Sequence, residues 1–182
     1  DLNIELESIA TDVSCNGAND GNISISPNSG IGPFAYSWDN TETGDMISDL
    51  GPGDYEVTVE DNAGCVSSKI VTIEEPSPIV STFTTIEPSC FGNGDGEAIV
   101  HILGGVEPYN YFWSNGQTDS IALGLLSANH SVNVFDAHNC LHSNLLFLDQ
   151  PEKVSIDYIA NNATCGSADG SIMASAFGGD NN

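Results

Sequence analysis

The chain has 182 residues and a formal net charge of −24, with 26 acidic residues against two lysines and no arginine. This charge excludes nucleic acid as a partner, because basic side chains that could neutralise phosphates are missing, and it disfavours anionic lipid for the same reason. Apolar residues make up 40% of the chain, but they occur in runs too short for a membrane span, so we expect no membrane insertion.

The first part of the chain alternates between short strand patterns and turns. Apolar and polar residues alternate in runs that predict β-strands, at residues 4–9, 22–26, 34–38, 55–60 and 69–73. Clusters of Gly, Pro, Asn and Asp separate these runs, as turns require. No window shows a helical period. Six or seven short strands in about 75 residues predict an all-β fold, a small antiparallel β-sandwich of the immunoglobulin-like type.

The same pattern recurs at a fixed distance along the chain. Four residues return 75 positions later: Cys15, Trp38, Cys65 and Pro76 recur as Cys90, Trp113, Cys140 and Pro151. A third copy opens with Cys165 and stops after Gly178 and Gly179. A period of this length indicates a tandem array of one small domain. We expect the chain to be a segment of a longer repeat protein.

Prolines mark the boundaries between the copies. Pro76 ends the first copy and Pro151 ends the second, and proline cannot donate a hydrogen bond to a strand ladder. The sequence therefore predicts three units: a first β-sandwich repeat at 1–76, a second at 77–151, and the start of a truncated third at 152–182. Short, stiff linkers between such units predict an extended rod.

The cysteine spacing predicts the disulfides. The distance from Cys15 to Cys65 equals the distance from Cys90 to Cys140, which favours one bond inside each repeat, Cys15–Cys65 and Cys90–Cys140. Cys165 stays unpaired by truncation, because the third copy stops before its second cysteine. Domains this small often need such a staple, and disulfides place the chain in an oxidising compartment. The alternative is that the cysteines are buried reduced thiols.

Four aspartates recur beside the turns: Asp20, Asp61, Asp95 and Asp136. The favoured interpretation is that each carboxylate caps its own turn. The alternative is a calcium site, because an intra-repeat disulfide would bring the Asp20 loop and the Asp61 turn to the same end of a sandwich, and calcium prefers oxygen ligands. We expect no other cofactor.

Aromatic and histidine residues suggest two further sites. Trp38 and Trp113 lie in alternating strands and are predicted to pack in the core, with a sugar-stacking platform as the alternative. His138, Cys140 and His142 resemble a metal-binding cluster, but the predicted disulfide removes Cys140 as a thiolate ligand. All four histidines lie in the second copy, without counterparts in the first: His101, His130, His138 and His142.

The recurring residues form a motif that resembles the SprB-type repeat of large surface proteins of gliding and related Bacteroidota. In the first copy the motif consists of Cys15, Gly17, Asp20, Gly21, Gly30, Pro33, Phe34, Tyr36, Trp38, Leu50, Val57, Val59, Asp61 and Cys65. The second copy departs from it at residues 127–130, where the Pro-Gly-x-Tyr of the first copy is lost. This departure puts in doubt the turn before the strand at Val132.

The resemblance implies a cell-surface adhesin or filament built of many repeats and exported through the type IX route of gliding bacteria. We expect a non-catalytic, extracellular and outer-membrane-associated module. Its partners would be neighbouring repeats and either surface polysaccharide or the secretion and motility machinery. The sequence offers little for an enzyme, since Lys69 and Lys153 are not equivalent in the repeat and no Ser-His-acid set recurs. The alternative is a carbohydrate-binding or spacer array appended to a secreted enzyme.

Overall fold

A computed structural model describes residues 4–179, which form strands and turns without a helix. The first repeat contains six strands: β1 (Leu6–Thr11), β2 (Gly21–Pro27), β3 (Ala35–Trp38), β4 (Met46–Leu50), β5 (Gly53–Glu60) and β6 (Val66–Ile73). The second repeats the same order: β7 (Val80–Ile86), β8 (Gly96–Leu103), β9 (Asn110–Trp113), β10 (Ile121–Leu125), β11 (Asn129–Phe135) and β12 (Leu141–Phe147). The third copy supplies β13 (Ser155–Asn161) and β14 (Ser171–Phe177). The predicted all-β class is confirmed.

Each full repeat builds two three-stranded sheets. The first repeat has the orders β1-β2-β4 and β3-β5-β6, and the second has β10-β8-β7 and β12-β11-β9. The strand pairs of the first repeat are antiparallel. Alternating side chains from its two sheets meet in one core, formed by Val13, Ile23, Ile25, Trp38, Ile47, Leu50, Val57, Val59, Val71 and Ile73. Each repeat is therefore the predicted immunoglobulin-like sandwich.

Strand β4 is the element that the alternation pattern does not predict. Only Ile47 and Leu50 are buried in it, three positions apart. Its register against β2 shifts between Gly21 and Ile23, and Asp49 has a φ of 58°. Because this irregularity breaks the period of two on which strand prediction depends, the segment does not look like a strand in sequence.

The second repeat keeps the turn that its sequence puts in doubt. In the first repeat the hydroxyl of Tyr55 donates a hydrogen bond to the carbonyl oxygen of Gly51, at 3.0 Å. In the second repeat His130 stands at the tyrosine position, and its Nε2 lies 2.9 Å from the carbonyl oxygen of Leu126. A ring nitrogen thus replaces a phenol at the same place, and strand β11 forms.

Two compact units divide the described chain. The first contains the chain up to Val80 together with Leu103–Tyr109 and Phe135–Cys140. The second contains Ser81–Ile102, Asn110–Val134 and the chain from Leu141 onward. This division does not follow the prolines, and the repeat boundaries at 76 and 151 stay predictions, as does the rod.

The third copy is a two-stranded antiparallel hairpin of β13 and β14. Every residue of both strands is exposed, whereas the equivalent pair β1 and β2 places Ile23 and Ile25 in the core. Residues 4–179 include no helix of the length and apolarity that crossing a membrane would take.

Candidate functional site

The first half of the site is a loop between β1 and β2, which we call the opening loop (Ser14–Asp20). Asp20 Oδ1 accepts a hydrogen bond from the Ser14 backbone N–H at 2.9 Å, and the Ala18 N–H donates to the Cys15 carbonyl at 3.0 Å. Hydrogen bonds from the Ser14 side chain and backbone lower the pKa of Asp20. Gly17 has a φ of 73°, which suits glycine, and its N–H donates to Glu75 Oε2 at 2.8 Å. These three hydrogen bonds fix the backbone on both sides of Cys15.

The second half is the turn between β11 and β12, which we call the closing loop (Asp136–Cys140). Asp136 is 1% exposed. Its Oδ1 accepts the N–H groups of His138 and Cys140, each at 2.9 Å, and its Oδ2 accepts the N–H of Val106 at 3.0 Å. Burial by itself raises the pKa of Asp136, but these three hydrogen bonds and the nearby His138 charge outweigh it and hold the pKa below its ordinary value. One carboxylate thus fixes the backbone that carries Cys140.

The opening loop and the closing loop are joined by a disulfide between Cys15 and Cys140, with the Cα atoms 5.6 Å apart. Both cysteines belong to the first compact unit. His138 Nδ1 lies 3.1 Å from the Ser14 carbonyl oxygen and adds a polar contact beside the bond. The disulfide therefore connects the first repeat to the second, across 125 residues of sequence.

The predicted intra-repeat bonds, Cys15–Cys65 and Cys90–Cys140, are wrong. Cys65, Cys90 and Cys165 are free.

The physical reason is that Cys15 and Cys65 lie at opposite ends of the first sandwich. Strand β6 begins just after Cys65, where Lys69 Nζ donates to the Leu6 carbonyl at 2.9 Å near the start of β1. The strand ends beside the opening loop, where the Val13 N–H donates to the Glu74 carbonyl at 3.2 Å. An eight-residue strand spans roughly 26 Å, and a disulfide needs Cα atoms closer than about 7 Å.

The same geometry separates the aspartates of the predicted calcium site. Asp61 accepts N–H groups from Ala63 and Cys65 on Oδ1 and from Ile31 on Oδ2, at the opposite end of the repeat from Asp20. The argument that put Asp20 and Asp61 at one end is therefore wrong.

Calcium does not fit these carboxylates as a shared site, because their oxygens accept backbone hydrogen bonds of their own loops. Within residues 4–179 no three His, Cys, Asp or Glu side chains are grouped as a metal site would require. Asp95 repeats the bond of Asp20, accepting the Ser89 N–H at 2.9 Å. These aspartates thus cap turns. Calcium binding stays a prediction, which a calcium titration of the protein can check.

The tryptophans and histidines have structural partners. Trp38 and Trp113 are 3% and 4% exposed, and their indole N–H groups donate to the carbonyls of Gly44 and Asp119. This burial confirms the core interpretation and removes these two rings as sugar platforms. Cys140 is oxidised, and His142 Nε2 lies 3.0 Å from Ser81 Oγ; His101 Nε2 pairs in the same way with Thr84 Oγ1.

Two parts of the site were not predicted from sequence. Ser14, Ser89 and Thr164 each precede a cysteine and donate to the aspartate of their loop. Glu75 and its equivalent Gln150 each accept the N–H of a loop glycine. The recurrence of a hydroxyl residue before cysteine, and of an acid or amide before proline, was the available signal.

Comparison with known proteins identifies the repeats. The family model described as SprB repeat matches residues 8–43 and 82–118. Each of the two full copies thus contains a segment that matches the SprB repeat. A comparison with curated proteins finds no relative. A solved structure described as "Structure of amphioxus IgVJ-C2 molecule" is similar over 81% of this chain and 98% of its own, with 10% identity and a TM-score of 0.32.

The matched segment of each copy contains the opening loop and the tryptophan, and it ends before the closing loop. The closing loops Asp61–Cys65 and Asp136–Cys140 are assigned by the 75-residue period and by their identical hydrogen bonds. The disulfide thus joins a segment of the first copy that the family model matches to a segment of the second copy that it does not match.

Proposed function

We propose that the chain is a non-catalytic, extracellular structural or adhesive module of a long cell-surface adhesin or filament. The observation that carries this proposal is the covalent link between successive SprB repeats through Cys15 and Cys140. A bond between repeats resists their separation under load, which is what a structural module requires.

Two features support the non-catalytic part of the proposal. The recurring carboxylates are occupied in their own loops, as Asp61 and Asp136 illustrate with three backbone hydrogen bonds each. The recurring tryptophans are core residues. The carboxylates and tryptophans that the two copies share therefore stabilise the loops and the cores of the repeats.

The disulfide and the charge support the location. A disulfide persists in an oxidising environment, and the net charge of −24 keeps neighbouring molecules apart by repulsion. We propose export by the type IX route to the outer surface, a role in gliding motility, and surface polysaccharide or the secretion and motility machinery as partners.

Binding of the whole chain to a panel of surface polysaccharides, with calcium and with chelator, tests the adhesive role. Saturable and selective binding would support an adhesive module and would direct mutagenesis to exposed aromatics such as Phe91, which is 53% exposed. The matched control is the equally exposed but aliphatic Val66, at 53%. Absence of binding in both conditions would contradict an adhesive role and leave a structural stalk, or a spacer array appended to a secreted enzyme.

A further inference from the structure

The hydrogen bonds of the loop backbone around Cys90 repeat those around Cys15. The Asn93 N–H donates to the Cys90 carbonyl at 3.0 Å, as Ala18 does for Cys15. The Gly92 N–H donates to Gln150 Oε1 at 2.7 Å, as Gly17 does to Glu75. The second opening loop (Ser89–Asp95) therefore presents its cysteine as the first one does, yet the Cys90 thiol is free and exposed.

A cavity of about 560 Å³ adjoins Cys90 in the second compact unit, and its lining includes Cys90, Phe91, Lys153, Gly178 and Gly179. Its far wall belongs to the third copy, where the Gly179 N–H donates to the Glu152 carbonyl at 2.9 Å. The cavity thus lies between an opening loop and the first residues of the repeat that follows it.

The equivalent space in the first unit is filled by the closing loop. Gly105 there donates its N–H to the Ser77 carbonyl at 2.9 Å, which is the counterpart of the Gly179 bond. A Cβ atom on Gly105 would lie 3.1 Å from Asp136 Oδ2, so the closing loop packs directly against this glycine. The loop then reaches Cys15 through Cys140.

A closing loop whose cysteine has no disulfide partner is also present, in the first repeat. The first closing loop (Asp61–Cys65) has the hydrogen bonds of the second one, with Asp61 accepting the Cys65 N–H at 2.9 Å. The hydrogen bond from Cys65, and next that from Ile31, lower the pKa of Asp61. Cys65 is nevertheless free and only half-buried. The first closing loop therefore already has the conformation in which the second closing loop bonds an opening-loop cysteine.

We propose that Cys90 forms a disulfide with the closing-loop cysteine of a following SprB repeat, so that the disulfides link each repeat to the next. The occupant of the cavity at Cys90 is that Asp-x-x-x-Cys loop. By the same rule, Cys65 bonds the opening-loop cysteine of a preceding repeat. This inference goes beyond the proposed function and does not depend on an adhesive ligand.

The bond forms by thiol–disulfide exchange. The two thiols lose two protons and two electrons as the S–S bond forms, and an external disulfide is reduced to two thiols. Oxidised glutathione supplies that external disulfide in the test below.

The first test extends the chain after Gly179 with a copy of residues 31–76, in a Cys65→Ser background, so that the third repeat gains its strands and a closing loop. After refolding in a glutathione buffer, thiols are alkylated and disulfides are mapped by mass spectrometry. We expect Cys90 to bond the appended cysteine, with Cys165 alkylated. A bond from Cys165 to the appended cysteine would overturn the proposal.

Folding of the extended chain is checked by the Cys15–Cys140 bond, which reports on the first two repeats, and by protease resistance of the third. A second test uses the unextended chain with Cys15→Ser. The proposal expects Cys140 to be alkylated, because its partner is gone and Cys90 is assigned to the closing loop of a following repeat. A Cys90–Cys140 bond in this variant would overturn the proposal. Cys165→Ser is the matched control, and it should leave Cys15–Cys140 intact.

Discussion

At the scale of residues, Asp61 and Asp136 organise the closing loops. Each uses both carboxylate oxygens to accept three backbone N–H groups, and in each case one donor is the cysteine that ends the loop. The N–H of Ile31 or Val106 ties the loop to the neighbouring turn. The carboxylate therefore fixes the backbone that carries the cysteine.

Replacing Asp136 by asparagine should destabilise the chain and its disulfide. The amide side chain would turn an N–H₂ group toward the Val106 N–H, so a buried donor loses its acceptor, at a cost of about 2 kcal/mol. We expect a lower urea midpoint and faster reduction of Cys15–Cys140 by a small thiol. Asp157→Asn, on an exposed strand of the third copy, is the control. Equal midpoints for the two variants would contradict the role of Asp136.

Stability should fall in acid. Asp20, Asp61, Asp95, Asp136 and Asp169 all have lowered pKa values in the folded chain. Their contribution is present above the unfolded-state pKa of about 3.9 and is lost as the pH falls through the lower folded-state values. Urea unfolding from pH 7 to pH 2 should show the loss below about pH 4. The curve of Asp136→Asn should be flatter, and an unchanged acid dependence would argue against this assignment.

At the scale of elements, the alternation of the strands decides which apolar side chains stabilise the sandwich. Ile23 on β2 is fully buried, whereas Ile9 on the neighbouring strand β1 is 72% exposed. Both strands belong to one antiparallel ladder, in which Ile9 pairs with Ser24 and Ile23 pairs with Ala10. The same residue type thus occupies opposite faces of one strand pair.

Truncating these two isoleucines should give very different results. Ile23→Ala should cost about 2–5 kcal/mol, because it removes buried methyl groups and leaves a cavity between the two sheets. Ile9→Ala should change the free energy of unfolding by less than about 0.5 kcal/mol. Chemical denaturation with the disulfide intact measures both. Similar losses would mean that the faces of this ladder are assigned incorrectly.

Gly21 allows strand β2 to lie close to strands β4 and β6. A Cβ atom on Gly21 would lie 3.0 Å from Ile73 Cγ2 and 3.0 Å from the Leu50 carbonyl oxygen. This crowding at the start of β2 explains the Asp-Gly of the first copy: the aspartate caps the opening loop and the glycine lets β2 pass β4 and β6.

At the scale of the whole molecule, the Cys15–Cys140 bond determines which part of the chain is shielded from a pulling force. Its two cysteines are 125 residues apart, so a force applied at the chain ends passes through the bond and bypasses almost all of both repeats. Bonds inside single repeats would instead protect two shorter loops.

Single-molecule pulling on the chain ends should therefore show one large effect of reduction. Reducing the bond should add roughly 400 Å of released length, the extended length of the 125 bypassed residues. Bonds inside single repeats would instead add two released lengths of roughly 170 Å each on reduction. Cys165→Ser should leave the result unchanged. An unchanged released length after reduction would contradict a load-bearing disulfide.

The amino-acid sequence alone predicted the period of 75 residues, most of the strands and the core position of Trp38. These are local properties: alternation is visible within each strand, and a repeated spacing needs no knowledge of the fold. It also predicted that aspartates cap their own turns, because their hydrogen-bond donors lie in the same loop or in the turn beside it. Strand β4 was missed because its bulge breaks the alternation.

The pairing of the cysteines was decided by the tertiary structure. Equal spacing in sequence suggested Cys15–Cys65, but strands that run the length of the sandwich carry these two residues to opposite ends. The chain leaves the first repeat beside the opening loop, so it is the closing loop of the second repeat that meets Cys15. Sequence spacing states how far apart two cysteines are along the chain, and only the direction of the strands between them determines where they meet.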